Sequence, residues 1–435
     1  MKSLSLHFHW PRRLDKGPLE QTTSILATEG LLAAIVLNLA TVYTSMFALR
    51  IGASDQQVGL VNSLPQLCAL LALFPGTLLA SRLSDRRRSV EITLLLAGFI
   101  YGLAGFSPLL GNIKVWYLIG LVSLANAPVV LYTTTWQNYF SDIIPADQRN
   151  YAYTRRTSMT FLASICTVQL TGIVLGSART DEIRITLYQF CYWLAFTVSL
   201  VQFLVLRRAP SHIHRTAATT WRDFGQTLRL LGRSKRFITF VAISFVLHSG
   251  WYMAWPLFLL VQVKYLGANE TWLSIITVTA NLIPWLTVRY WSKFVERKGI
   301  RFTLIIGCLG LAINPITTIS SAYLPGAWGL PGLVLFNIIY GLTFSAFQLT
   351  ILQCLLEVVP QQNKPLNLSI YTACHLLANA VMPVVGVQLY TWLGSDLRAM
   401  TYAMLTASAI RFIGTGLFLL RWARLRRDPD IGMRL

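Results

Sequence analysis

Twelve long apolar runs constrain this chain of 435 residues more than any other feature. Each run has at least about twenty residues, the length that an α-helix needs to cross the hydrocarbon core of a membrane. Only helices and closed barrels satisfy the backbone polar groups there, and the runs lack the alternation of barrel strands. The sequence therefore predicts an all-α membrane protein with twelve transmembrane helices. The runs lie at about 25–49, 56–80, 90–110, 115–140, 157–177, 186–206, 237–262, 270–290, 302–322, 329–357, 366–393 and 399–421.

The composition and the placement of charge agree with this class. Charged residues make up 12% of the chain, about half the share of a soluble protein. The net charge of +20 could indicate a nucleic-acid partner, but thirty of the 37 Lys and Arg residues fall in the segments on one side of the membrane. By the positive-inside rule this bias predicts an inner-membrane protein with both termini in the cytoplasm. We therefore expect the basic side to contact anionic lipids, and we expect no nucleic-acid partner.

Two pairs of motifs recur at matched places in the two halves of the chain. The basic turn Ser81-Arg-Leu-Ser-Asp85-Arg86-Arg87-Arg88 separates runs two and three, and Ser292-Lys-Phe-Val-Glu296-Arg297-Lys298-Gly299-Ile300-Arg301 separates runs eight and nine. Runs four and ten end in Asp142-Ile-Ile-Pro145 and Glu357-Val-Val-Pro360, where the proline disfavours helical geometry in the residue before it. These pairs predict a duplicated six-helix unit.

The basic turns resemble the signature Gly-x-x-x-Asp-Arg/Lys-x-Gly-x-Arg/Lys-Arg/Lys of the major facilitator superfamily. In the first copy Asp85 and Arg86 match the acid and the base, while Ser81 and Arg88 replace the two glycines. The resemblance implies two pseudo-symmetric six-helix bundles, and a secondary active transporter that moves a small solute by alternating access. It also implies that the turns act as a conformational latch on the cytoplasmic side. The alternative is that their charges only set the membrane topology. The latch candidates are Asp85, Arg86, Arg88, Glu296, Arg297 and Arg301.

The repeat also divides the chain into segments. The prediction is a cytoplasmic tail at 1–24, a bundle at 25–206, a cytoplasmic linker at 207–236, a second bundle at 237–421 and a basic tail at 422–435. In the linker, Trp221, Phe224, Leu228 and Leu231 share one helical face, which indicates an interfacial amphipathic helix. An ordinary basic linker is the alternative.

Catalytic, metal and cofactor motifs are missing from the sequence. The six cysteines are scattered singly through the apolar runs, and no hydrolase or phosphate-binding pattern appears. We therefore expect a monomeric transporter with no cofactor or metal and no enzyme activity. A non-transporting membrane scaffold, or an assembly factor that handles pigment or lipid on the same fold, is the alternative.

Polar and aromatic side chains within the apolar runs are the candidates for a substrate cavity, because such groups in membranes often mark function. Run seven carries four of them on one helical face, and runs ten and eleven repeat the pattern. The resemblance places runs one, four, seven and ten around the cavity, with runs two, five, eight and eleven beside it. Hydrogen bonding between helices is the alternative role. The candidates are Asn38, Asn126, Gln169, His248, Trp251, Tyr252, Trp255, Asn337, Tyr340, Phe344, Gln348, His375 and Asn379.

Three titratable groups are candidates for a proton site, although the sequence leaves the coupling ion open. His248 and His375 lie mid-membrane and carry side chains whose unperturbed pKa of about 6.5 suits proton exchange. Glu29 lies near the start of run one. The scarcity of mid-membrane carboxylates favours a neutral, anionic or amphipathic solute over an organic cation. Arg411 is expected to extend to the cytoplasmic surface, with a buried anion-binding role as the alternative.

Overall fold

The structure is a computed structural model, and it describes residues 17–82, 85–145, 147–211, 234–359 and 364–427. These residues form helices joined by short turns. The amphipathic helix predicted around Trp221 lies outside the described residues. We number the membrane helices α1 (Pro18–Thr41, continued by Thr44–Arg50), α2 (Asp55–Arg82), α3 (Arg86–Ala104), α4 (Lys114–Ile143), α5 (Arg149–Gly176), α6 (Asp181–Leu206), α7 (Lys235–Leu260), α8 (Glu270–Lys298), α9 (Ile300–Ser321), α10 (Gly329–Val358), α11 (Lys364–Trp392) and α12 (Leu397–Arg427).

Ten helices of the described chain have the length and apolar character of a membrane span. The helices α2 and α3, which flank the first basic turn, bring the bundle to twelve. This confirms the predicted fold class. The predicted ends of runs four and ten are also confirmed, since α4 ends at Ile143 and α10 at Val358, each two residues before a proline.

Several helices extend well beyond their apolar runs. Helix α5 begins at Arg149 rather than near 157, and α8 continues to Lys298 rather than ending near 290. Arg, Lys and Glu are good helix formers, so the helices continue where the apolar pattern stops. As a result Arg156, which the sequence pattern places in a loop, lies inside α5.

The two halves pack with the same internal pattern. In the first half α1 packs on α5 and α6, α2 packs on α4, and α3 packs on α4 and α6. In the second half α7 packs on α11 and α12, α8 packs on α10, and α9 packs on α10 and α12. Each pair in the first half therefore has its counterpart six helices later, as a duplicated unit requires.

The halves meet along two equivalent crossings, α2 with α11 and α5 with α8. The second crossing depends on glycine. A Cβ atom on Gly176 would lie 2.0 Å from Oγ1 of Thr271, and one on Gly172 would lie 2.3 Å from Cβ of Ser274. Both contacts lie at the end of the bundle away from the basic turns. We call that end the opposite end, and the end that carries 85–91 and 289–301 the basic end.

Candidate functional site

A buried polar cluster surrounds Glu29 in the first half. The Glu29 side chain is fully buried, and Tyr132 donates its hydroxyl hydrogen bond to Oε1. Nε2 of Gln202 donates to the same oxygen at 2.9 Å, and Nε of Arg156 donates to Oε2 at 3.2 Å. Helices α4, α5 and α6 thus each contribute one side chain to the carboxylate on α1.

Arg156 neutralises this carboxylate and also packs on an aromatic ring. Its guanidinium carbon lies 3.7 Å from the ring centroid of Trp136, within the range of a cation–π contact. Beside the cluster, a cavity of about 30 Å³ is lined by Tyr132 and Gln202 among apolar residues, which is enough room for one water molecule. The site thus joins a buried acid, its counter-ion and space for water.

Sequence reasoning found only one member of this cluster. Glu29 was singled out as an acid near a span, but Arg156 was assigned to a loop. Tyr132 and Gln202 were not singled out. Glu29 and Arg156 both lie inside helices. A charged side chain in a membrane helix requires a partner of opposite charge, and this requirement is the signal that could have paired them.

A pair of histidines lies between α7 and α11 in the second half. His248 is 4% exposed, and its Nδ1–H donates to the carbonyl oxygen of Ser244 at 2.7 Å, so that Nε2 of the neutral ring is an acceptor. The ring of His375 lies only 3.8 Å from that of His248, centroid to centroid, and the ring of Tyr371 lies 4.2 Å from that of His375. Nε2 of His375 is buried and has no hydrogen-bond partner among the described residues.

Aromatic rings surround the histidine pair. Trp251 meets Phe344 and Phe347 of α10 edge-on, with centroid separations of 5.5 and 5.6 Å. Tyr340 stacks on Phe344, and Tyr252 stacks on Trp255 at 5.6 Å. The structure therefore brings the predicted faces of runs seven, ten and eleven together, and Phe347 is a member that the sequence pattern missed.

The remaining cavity candidates are more dispersed. Asn38 donates to the carbonyl oxygen of Ala34 and to Oγ of Ser164, which ties α1 to α5. Asn337 is buried and donates to the carbonyl oxygen of Leu333 in its own helix. Others differ mainly in exposure: Asn379 is buried, Asn126 and Gln169 are half-buried, and Gln348 is exposed, as is Trp255. Lining of a substrate cavity remains a prediction for all of these residues.

The expectation that Arg411 reaches the membrane surface is wrong. Arg411 lies in the middle of α12 and is fully buried. It donates hydrogen bonds to the carbonyl oxygens of Gly250, Trp251 and Leu311 at 3.0, 3.2 and 2.6 Å. Helix α12 extends to Arg427, which leaves Arg411 well within the span. The guanidinium therefore holds α12 against the backbones of α7 and α9.

The basic turns are held within their own halves. Asp85 caps α3 by accepting from the amides of Arg87 and Arg88. Arg86 pairs with Asp142 at 2.6 Å, and Arg301 pairs with Glu357 at 3.0 Å. Both pairs join residues 56 apart, so the repeat equates Arg86 with Arg301. Among the remaining latch candidates, Arg88, Glu296 and Arg297 are exposed.

The opposite end carries ion pairs that join the two halves. Glu270, the first residue of α8, is fully buried and accepts from Nε and Nη2 of Arg50 at 3.0 and 3.2 Å. Tyr188 donates to the same carboxylate at 3.1 Å, and Arg184 lies 3.6 Å from it. Lys264 pairs with Asp55 nearby, again across the halves. Sequence reasoning singled out none of these residues.

Comparison with known proteins identifies the family. The family model of the Major Facilitator Superfamily matches residues 26–355. This chain belongs to the major facilitator superfamily. No curated protein sequence matches it. Many solved structures resemble it. Three of them are the nucleoside transporter NupG (TM-score 0.68, 13% identity, 92% of this chain and 99% of that one covered), the xylose transporter XylE from E. coli (0.67, 14%, 93% and 99%) and a bacterial homolog of the human lysosomal transporter Spinster (0.68, 13%, 94% and 97%).

Membership in the superfamily decides between the two functions that the sequence left open. The chain is a membrane-embedded secondary transporter, and the non-transporting scaffold is not favoured. Alternating access, which is the working mode of the superfamily, has a physical basis here in two similar bundles that meet mainly along two helix crossings in the described part of the chain.

Proposed function

We propose that this transporter couples solute movement to proton movement, and that Glu29 carries the proton. One observation carries the proposal: a fully buried carboxylate inside a membrane helix that is held by Arg156, Tyr132 and Gln202. Burying an ionisable group in a membrane helix costs free energy, so such groups are rare. Those that occur often mark proton relays. The histidine pair is the second candidate, favoured by its 3.8 Å ring separation.

The Glu29–Arg156 pair gives the coupling a physical route. Protonation of Glu29 removes the charge that Arg156 faces, and a buried cation without its partner costs about 3–5 kcal/mol. Arg156 must then shift or find another acceptor. It lies on α5, which crosses α8 of the other half. A shift of Arg156 therefore acts on a helix that also packs on the other half.

The first prediction concerns the neutral substitution Glu29→Gln. We expect proteoliposomes containing this variant to show no solute-driven proton flux with a pH-sensitive dye, because the titrating group is gone. Glu182→Gln, which changes an exposed carboxylate at the start of α6, is the matched control. Proton flux that persists in Glu29→Gln and disappears in His248→Gln would move the proton site to the histidine pair.

The chemistry of the second half bears on the substrate. Aromatic rings, among them two imidazoles and two indoles, form the cluster around His248 and Trp251, and the buried Arg411 donates to the backbone carbonyl oxygen of Trp251. Among the described residues no carboxylate is paired with Arg411. The second half therefore carries an uncompensated positive charge near its aromatic cluster, which disfavours organic cations. We propose a small, ring-bearing solute that is neutral or anionic.

The second prediction tests this preference with matched ligands. We expect indole-3-acetate and indole-3-acetamide to raise the thermal unfolding temperature of the purified protein more than tryptamine, which has the same ring and a positive charge. Competition against any solute found to be transported checks the same order. A preference for tryptamine would reverse the proposed substrate class without affecting the assignment of Glu29.

The distribution of charges and contacts also supports a proposal for how the protein is oriented in the membrane and to which side it is open. The positive-inside bias assigns the basic end to the cytoplasm of the inner membrane, with both termini there. The inter-half ion pairs around Glu270 and Lys264 hold the opposite end together. With the basic turns paired inside their own halves, we propose that the structure is closed toward the outside and faces the cytoplasm.

A further inference from the structure

An open cavity of about 880 Å³ lies at the basic end of the second half. It is formed by the turn between α8 and α9, the end of α10 and the last turns of α12. We call it the basic-end groove. The residues that matter for its chemistry are Arg297, Lys298, Arg301, Arg426, Glu357 and Trp422.

The charges that line the basic-end groove are unbalanced. Four of its lining residues are cations and one is a carboxylate, and that carboxylate, Glu357, already pairs with Arg301 at 3.0 Å. Arg297, Lys298 and Arg426 are exposed around the groove. Three positive charges around one cavity repel each other, and an anion bound among them relieves that repulsion.

The equivalent turn in the first half shows how such charges can be satisfied internally. There Arg87 donates to the carbonyl oxygens of Arg207 and Ala209 and lies 3.2 Å from Glu91, while Asp85 caps α3. In the second half Gly299 occupies the capping position before α9 and has no side chain to offer. The second-half turn therefore carries Arg297 and Lys298 beside a capping position that has no carboxylate.

The groove also has an aromatic and apolar side. Phe302 lies 5.8 Å from Trp422, and the guanidinium of Arg426 lies 4.8 Å over the Trp422 ring. Tryptophan beside cations at the end of a membrane helix is typical of the level of lipid headgroups. A ligand that fits this surface carries negative charge at one end and apolar chains at the other.

We propose that the basic-end groove binds the phosphodiester headgroup of an anionic glycerophospholipid. Arg297, Lys298 and Arg426 contact the phosphate, and the acyl chains lie along the apolar side. The groove spans the α8–α9 turn and the end of α12. A bound lipid therefore stabilises the packing of these two segments. The proposal is independent of the proton site and of the transported solute.

The test uses the full-length protein and native mass spectrometry with defined lipids. Wild-type protein should retain phosphatidylglycerol in preference to phosphatidylcholine. Removing Arg297, Lys298 and Arg426 together as Gln should weaken retention by about fivefold per cation, roughly a hundredfold in all. The three side chains are exposed, so the variant is expected to fold, which size-exclusion chromatography checks.

Matched controls keep the result specific to the groove. Arg424→Gln and Lys293→Gln remove exposed cations of the same two segments that do not line the cavity, and they should leave retention unchanged. Equal retention of both lipids, or equal loss in the controls, would overturn the proposal. Displacement of phosphatidylglycerol by inorganic phosphate would also overturn it, because it would show a site for a soluble anion instead.

Discussion

Arg411 shows how a single charged side chain can be accommodated in the middle of a membrane helix. Its guanidinium has backbone carbonyl oxygens from α7 and α9 as acceptors, so its donors are satisfied without a carboxylate. Gly250 makes this contact possible, since a Cβ atom there would lie 2.9 Å from Cγ of Arg411. The residue therefore holds the backbone of α7 at Gly250 and Trp251 and does not reach water.

The third prediction follows at this scale. Arg411→Met should lower the free energy of unfolding by roughly 3–5 kcal/mol, because buried carbonyl groups lose charged donors and few alternatives exist within the membrane. Thermal unfolding of the purified protein in detergent measures the change. Arg424→Gln, an exposed arginine on the same helix, should leave stability within about 0.5 kcal/mol of wild type. Equal stability of the two variants would contradict the packing role.

At the scale of elements, the start of α8 carries a buried ion-pair junction between the halves. Glu270 lies where the helix dipole favours negative charge, and it faces Arg50, Arg184 and Tyr188 of the first half. The glycines of α5 bring the neighbouring backbone close enough for this contact. Opening the opposite end would separate a buried carboxylate from its partners, so the ion pairs bias the molecule toward the state described.

The fourth prediction concerns Glu270→Gln. Loss of the carboxylate should leave Arg50 and Arg184 without a strong acceptor and shift the population toward a state open at the opposite end. Hydrogen–deuterium exchange should then rise in 42–56 and 264–276, with no rise at the basic end.

A control at the same end separates this effect from general loosening. Asp396→Asn changes a carboxylate at the same end that accepts a hydrogen bond from the nearby amide of Ala399 within the second half. It should leave exchange at the junction unchanged. An exchange pattern in Glu270→Gln that matches wild type would show that the ion pairs do not hold the halves together.

For the whole molecule, the repeat appears in the packing as well as in the sequence. The ion pairs Arg86–Asp142 and Arg301–Glu357 occupy equivalent positions and link each basic turn to the stop motif of the same half. The sequence motifs align Asp85 with Glu296, an offset of 211 residues, whereas the ion pairs align Arg86 with Arg301, an offset of 215. The sequence alignment is therefore wrong by four residues. In the state described these turns brace individual halves, and their action as a latch across the halves is a prediction for the other state.

The fifth prediction tests the latch. Asp85→Asn should preserve the cap of α3, since asparagine caps well, while removing the charge that the latch requires. Transport turnover should fall about tenfold or more, and the affinity for the solute should stay unchanged, because the proposed solute-binding cluster lies elsewhere. Turnover by Asp85→Asn equal to that of wild type would leave the turn with a topological role alone. Asp85→Ala should cost a further ~1 kcal/mol of stability through the lost cap.

The amino-acid sequence alone determined the twelve spans, the duplicated halves and the basic end. These properties follow from the exclusion of charge from hydrocarbon, which acts on each segment locally. Only the tertiary structure decided which buried groups meet. Arg156 reaches Glu29 across 127 residues, and Arg50 reaches Glu270 across 220. Which residues become partners depends on how each helix is rotated about its axis and how it crosses its neighbours. When most faces of a helix are apolar, the hydrophobic pattern does not determine that rotation. The histidine pair lies between these cases: both residues were visible in the sequence, but their contact at 3.8 Å depends on how α7 packs on α11.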